Sequence, residues 1–85
     1  MPPIQVYVTT RCPYCVMAKR LLDSKGLSYE TIDVTGDMEQ RRWLMEASGQ
    51  RTVPQIFIGE TSIGGYTELA ALNRSGELDS MLEER

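Results

Sequence analysis

Thr10-Arg11-Cys12-Pro13-Tyr14-Cys15 holds both cysteines of the chain, spaced C-x-x-C. Before it, Ile4-Gln5-Val6-Tyr7-Val8 alternates and carries β-branched residues, so it reads as a strand. Thr9 to Arg11 leaves the strand, and Cys12 falls where a helix N-cap belongs. Pro13 takes the first helical position, where its missing N–H costs nothing. Cys15, Ala18 and Leu22 then recur at i, i+3 and i+7, with Met17 and Leu21 alongside. Gly26, after Lys25, is the expected helix stop.

Outward from this strand and helix, Leu27 to Val34 reads as a second strand through Tyr29, Thr31, Ile32 and Val34, ended by Thr35-Gly36. Asp37 to Gln40 has the form of a capping box for a helix from Met38 to about Ser48, stopped by Gly49. Arg51-Thr52-Val53-Pro54 is a loop entering the short apolar run Gln55-Ile56-Phe57-Ile58, as expected of a central strand. Gly59-Glu60 turns the chain into a return strand, Thr61-Ser62-Ile63, giving an antiparallel hairpin. Gly64-Gly65 breaks it, and Thr67 is the expected cap of a third helix carrying Leu69, Ala70 and Leu72. After Gly76, Leu78, Met81 and Leu82 mark a short amphipathic C-terminal helix. The order is β-α-β-α-β-β-α plus that short helix. A parallel first pair requires a right-handed crossover. C-x-x-C at the start of the first helix points to an α/β, thioredoxin-like fold: a four-stranded mixed sheet flanked by helices. With 85 residues and no repeat or linker, the chain reads as one domain spanning 1–85.

Composition narrows the function. The fractions of apolar (41%) and charged (25%) residues are those of a globular chain. The net charge is −3 with both signs dispersed, which argues against nucleic acid as the partner. No apolar run approaches the roughly 20 residues of a membrane span. Met1-Pro2-Pro3-Ile4 lacks the charged and apolar regions of a signal peptide, so a cytoplasmic location is expected. A bridge between Cys12 and Cys15 closes too short a loop to stabilise much and would not persist in a reducing compartment, so the pair reads as a redox couple. A structural zinc site wants four Cys or His ligands, and the chain has two Cys and no His, so no metal site is expected.

The nucleophile of thiol–disulfide exchange is the thiolate, favoured at helix N-termini and beside cations. Cys12 has the positive end of the first helix before it, Arg11 next to it and Lys19 later on the same helix. Cys15, one turn in, is expected to be more buried. Cys12 is therefore assigned as the attacking group and Cys15 as the resolving thiol. Pro54 is either a trans proline opening an edge strand or a cis proline at a turn. Gly64-Gly65 ahead of Tyr66-Thr67-Glu68 exposes amides at a helix start, where a carboxylate can bind.

Cys12-Pro13-Tyr14-Cys15, Thr52-Val53-Pro54 and Gly64-Gly65 together resemble the three signatures of the dithiol glutaredoxins, in their usual order and spacing. The similarity runs from Ile4 to about Leu82. It implies a glutathione–disulfide oxidoreductase with a cis peptide at Pro54, no tightly bound cofactor, and glutathione as co-substrate. Its partners would be glutathionylated or disulfide-containing proteins, met as a monomer. The resemblance also implies the glutathione site: Tyr14 beside the active cysteine, Thr52, Val53 and Pro54 along the cysteine of glutathione, and Arg41 toward its glycine carboxylate. Gly65, Tyr66, Thr67 and Glu68 would hold the γ-glutamyl end, and Arg11 is an added candidate.

Two positions depart from the family pattern. Thr9 stands where many members have lysine, leaving Arg11 or Arg51 to supply a cation, and Tyr66 stands where Cys or Ser is common. Two other functions use the same residues. One is a dimer holding a [2Fe–2S] cluster through Cys12 of each chain and two glutathiones, against which Pro13 speaks, because cluster binders usually have Gly or Ser there. The other is a dedicated electron donor to one reductase, such as ribonucleotide reductase.

Overall fold

In the computed structural model, which describes residues 2–83, the elements run β1 (Ile4–Val8), α1 (Pro13–Ser24), β2 (Glu30–Asp33), α2 (Met38–Ser48), β3 (Gln55–Ile58), β4 (Thr61–Gly64), α3 (Tyr66–Ser75) and α4 (Glu77–Leu82). Met1, Glu84 and Arg85 of the expected 1–85 domain lie outside the described residues. The sheet order is β2-β1-β3-β4. β1 pairs parallel with β2, from Gln5↔Glu30 to Val8↔Asp33, and antiparallel with β3, from Ile4↔Ile58 to Tyr7↔Gln55. β3 and β4 form the expected hairpin, with an irregularity between Ile56 and Phe57.

Side-chain alternation along β1 and β3 divides the core between the two sheet faces. Val6, Val8, Ile56 and Ile58 join Ala18 and Leu22 of α1, Leu69 of α3, and Leu78 and Leu82 of α4 on one face. Tyr7 and Phe57 meet Val34 and Leu44 on the other. Trp43 of α2 covers that smaller core, stacking on Phe57 at 5.9 Å and tilting over Tyr7 at 5.6 Å, while remaining 47% exposed. No helix among the described residues is long and apolar enough to cross a membrane.

Several local expectations are corrected. The second strand begins at Glu30, not Leu27, and ends at Asp33. Leu27 N–H still bonds the Leu22 carbonyl of α1 (3.1 Å), and Tyr29 donates to Asp23 (2.9 Å), so this stretch finishes the helix before joining the sheet. Asp37 caps α2 through Gln40 N–H (3.0 Å), but its own N–H goes to the Val34 carbonyl (3.0 Å), so the reciprocal half of the box is not made. Met17 is exposed. Gly64 belongs to β4, and the cap of α3 is Gly65, not Thr67. The carboxylate of Glu68 draws the start back by accepting from Gly65 N–H at 2.6 Å, placing Thr67 inside the first turn.

Candidate active site

Cys12 keeps an extended backbone (φ −120°, ψ 100°) while Pro13 opens α1. Cys15 N–H points at Cys12 Sγ, 3.2 Å away, so sulfur fills the N-cap role usually held by oxygen. The two sulfurs are joined in a disulfide, with Cα atoms 5.1 Å apart. Cys15 is 3% exposed and belongs to the larger core, whereas Cys12 is only partly buried. A reagent from solvent therefore meets Cys12 first.

The loop before β3 comes up against this sulfur. The Val53–Pro54 peptide is cis, and the Val53 carbonyl lies 3.6 Å from Cys12 Sγ. Beyond it opens a groove of about 320 Å³. Its floor is Thr52, Val53 and Pro54, with Tyr14 on the α1 side and Gly65, Tyr66, Thr67 and Glu68 on the α3 side. The rings of Tyr14 and Tyr66 face each other across it at 6.3 Å. Two glycines allow this closeness. Gly64 has φ +111°, and a Cβ there would stand 2.8 Å from the capping oxygen of Glu68. A Cβ at Gly65 would stand 3.3 Å from the Pro54 carbonyl. The first bond within α3 is Leu69 N–H to the Gly65 carbonyl (3.0 Å). The N–H groups of Tyr66, Thr67 and Glu68 thus have no partner within the helix and sit at its positive end.

Arg11 and Arg41 do not line this groove. Arg11 faces a cleft of about 570 Å³ on the other side of Cys12, shared with Lys19 and Asp33. Arg41 lies with Arg51 in a cleft beside α2. Among the described residues, no group of three or more His, Cys, Asp or Glu side chains could hold a metal ion.

The sequence reading overlooked the residues that set the two active-site loops. Gln55, wholly buried, donates from Nε2 to the Thr52 carbonyl (2.9 Å) and to Gln50 Oε1 (2.8 Å), tying down the loop that carries Val53 and Pro54. Gln50 itself lines the groove. The available signal was a glutamine opening an otherwise apolar strand. The loop carrying Cys12 is anchored through Thr35. Thr10 N–H donates to Thr35 Oγ1 (2.8 Å), and Thr35 N–H donates to Asp33 Oδ1 (2.8 Å). Arg11, next along, takes φ +60°, rare outside glycine. Hydrogen bonding from Thr35 holds the Asp33 carboxyl below its ordinary value, against an opposing effect of desolvation and with a lesser contribution from the charge of Lys19. Thr35→Val should therefore slow the reaction of Cys12 with a small aromatic disulfide by about three- to tenfold, the scale of one lost orienting hydrogen bond. Thr35→Ser should keep the wild-type rate; stopped-flow absorbance measures both.

The Glutaredoxin family model matches residues 4–63. The chain is 49% identical to the glutaredoxin of Pseudomonas aeruginosa over 82 residues, covering 96% of this chain and 98% of that protein. It is 42% identical to glutaredoxin 3 of Escherichia coli over 83 residues, covering 98% and 100% respectively. Among solved structures, glutaredoxin from Brucella melitensis superposes with a TM-score of 0.86 at 44% identity, covering 96% of this chain and 89% of that one. The buckwheat glutaredoxin–glutathione complex superposes with a TM-score of 0.84 at 38% identity, covering 95% and 76%.

Proposed function

The chain belongs to the glutaredoxin family, and its Cys12–Cys15 pair makes it a thiol–disulfide oxidoreductase; from that premise we propose that its electrons come from glutathione and that its substrates are glutathionylated and disulfide-containing proteins. The observation that carries this reading is the groove beside Cys12. An extended tripeptide can run along Val53, whose carbonyl is 3.6 Å from Cys12 Sγ, and reach the N-terminus of α3. Its γ-glutamyl carboxylate would meet the amides of Tyr66, Thr67 and Glu68. Its ammonium would meet the oxygen of Glu68 that does not cap the helix. Tyr14 and Tyr66 would enclose it, and Arg41, from the separate cleft beside α2, would reach the glycine carboxylate. The glutathione complex of the buckwheat relative supports the assignment.

The chemistry balances in two routes. On a glutathionylated protein, the Cys12 thiolate attacks the glutathione sulfur, and the protein thiolate leaves and takes a proton. A second glutathione thiolate then attacks the bound glutathione sulfur, releasing Cys12 and glutathione disulfide. On a protein disulfide, Cys12 captures one protein sulfur, Cys15 displaces it to form the Cys12–Cys15 disulfide, and two glutathiones reduce that pair. The two cores share one sheet, which supports a reading of the chain as one domain; a monomer acting in the cytoplasm completes the proposal.

Amide chemical-shift mapping with glutathione on the reduced Cys15→Ser protein tests the site. The amides of Thr52, Val53, Tyr66, Thr67 and Glu68 should shift together with one dissociation constant. Shifts confined to the Arg11–Lys19 cleft would overturn the placement.

A further inference from the structure

The helix α2 turns toward solvent a stripe that glutathione binding leaves largely unused. Met38, Arg41, Arg42 and Met45 recur at i, i+3, i+4 and i+7 and share one face. Arg51, from the loop after α2, completes a cleft of about 370 Å³. Met38 is 72% exposed, and Arg42 and Arg51 are exposed. Among the described residues, the ion pair is Lys25–Asp79; with Arg41 assigned to glutathione, Arg42 and Arg51 are left in the cleft without a carboxylate partner among those residues. Two exposed guanidinium groups, Arg42 and Arg51, thus stand beside Arg41 on a chain whose net charge is −3. Held together, they repel one another, and the methionines beside them leave apolar surface in water. An occupant that is both acidic and partly apolar relieves both costs, and methionine surfaces adapt to varied apolar partners.

We propose that this cleft docks an acidic segment of the polypeptide whose disulfide the protein reduces. The proposal rests on the function proposed above and names the partner class. The cleft is within reach of the reacting sulfur. Cys12 Sγ is 3.6 Å from the Val53 carbonyl, and Arg51, two residues before Val53, has its Cα within about 7.6 Å of it. A polypeptide bonded to Cys12 through its own cysteine and extended along this loop advances about 3.3 Å per residue. Its third and fourth residues from that cysteine then come level with Arg51, which lines one cleft with Arg42. The docked state is the mixed disulfide: Cys12 has bonded one substrate sulfur and the other has left as a protonated thiol. Attack by Cys15 on the Cys12 sulfur then releases the docked cysteine.

Two symmetric peptide disulfides, with glutamates or lysines at the third and fourth positions on both sides of the cysteine, test this in a glutathione-coupled assay. For the wild-type protein, kcat/KM should favour the glutamate peptide by about fivefold or more at low salt, and the preference should vanish near roughly 0.5 M salt. Arg42→Glu should abolish or invert the preference while the rate on a small neutral disulfide stays unchanged. No preference in the wild type, or the same preference in Arg42→Glu, would overturn the proposal. Should Arg42→Glu lose the small-disulfide rate as well, Arg42→Gln carries the same comparison with the same two outcomes. Wild-type protein inactive on every disulfide would refute the glutathione-dependent function instead. Salt-sensitive binding of a single-stranded oligonucleotide in place of the glutamate peptide, lost in Arg42→Glu, would reassign the cleft and overturn the proposal.

Discussion

Cys12→Ser is expected to lose at least about a thousandfold of the glutathione-coupled activity, because a serine hydroxyl is not ionised near neutral pH and forms no disulfide. Cys15→Ser should behave differently on the two substrate types. On a glutathionylated protein, Cys12 alone carries the glutathionyl group, so activity should stay within a few-fold of wild type. On a protein disulfide, the mixed disulfide at Cys12 has no resolving thiol, and turnover should collapse. The asymmetry follows from position: Cys15 is 3% exposed inside α1, whereas the Cys12 sulfur stands at the groove, with Cys15 N–H directed at it from 3.2 Å. The same helix end should hold the Cys12 thiol below the free-cysteine value of about 8.5. Thiolate absorbance of the reduced Cys15→Ser protein against pH measures that midpoint. Full activity in Cys12→Ser, or a midpoint at the free-cysteine value, would remove Cys12 from its role.

Much of this was legible in the residues because local and global signals agree. The i, i+3, i+7 spacing of Cys15, Ala18 and Leu22 and the uninterrupted run Gln55–Ile58 pointed to the buried face of α1 and to a strand buried on both sides, as found. Errors gathered where a distant or returning side chain decides the boundary. Thr67 is a good cap by type, but Glu68 reaches back to Gly65 and starts α3 earlier. Tyr29 and Leu27 have strand-like character, yet β1 pairs with β2 only from Gln5↔Glu30 onward. The grouping of Tyr14, Thr52 to Pro54 and Gly65 to Glu68 was readable only through the family's signatures, since no spacing brings them together without the sheet order β2-β1-β3-β4. The support beneath them was signalled only by a glutamine opening an apolar strand, and its partners were not readable. The bonds Gln55–Thr52 and Thr10–Thr35 join segments by packing, and neither residue type announces its partner.

Leu69→Ala is expected to give the largest loss of stability of any change beside the groove. Leu69 is 0% exposed and lies in the first turn of α3, directly after Glu68. It shares the larger core with Leu22, Ile56 and Leu78, so its removal leaves a cavity bounded by helices and sheet that cannot all collapse inward. Buried leucine truncations of this kind cost about 2.7–5 kcal/mol. A chain of this length has only roughly 4–13 kcal/mol in total. At about 4–8 °C per kcal/mol for a domain this small, Tm should fall by more than roughly 10 °C. Glu68→Ala removes a single exposed cap and should cost only about 1 kcal/mol. Its effect on glutathione should be the larger of the two at a temperature where both variants are folded, because it alters the groove wall itself. Calorimetry and glutathione titration at about 15 °C separate the two. If Leu69→Ala cost less than about 1 kcal/mol, α3 would be held by its hydrogen-bonded cap and not by the core. The helix terminus at the groove would then depend on Glu68 alone, and Glu68→Ala, not Leu69→Ala, would be the variant that loosens it.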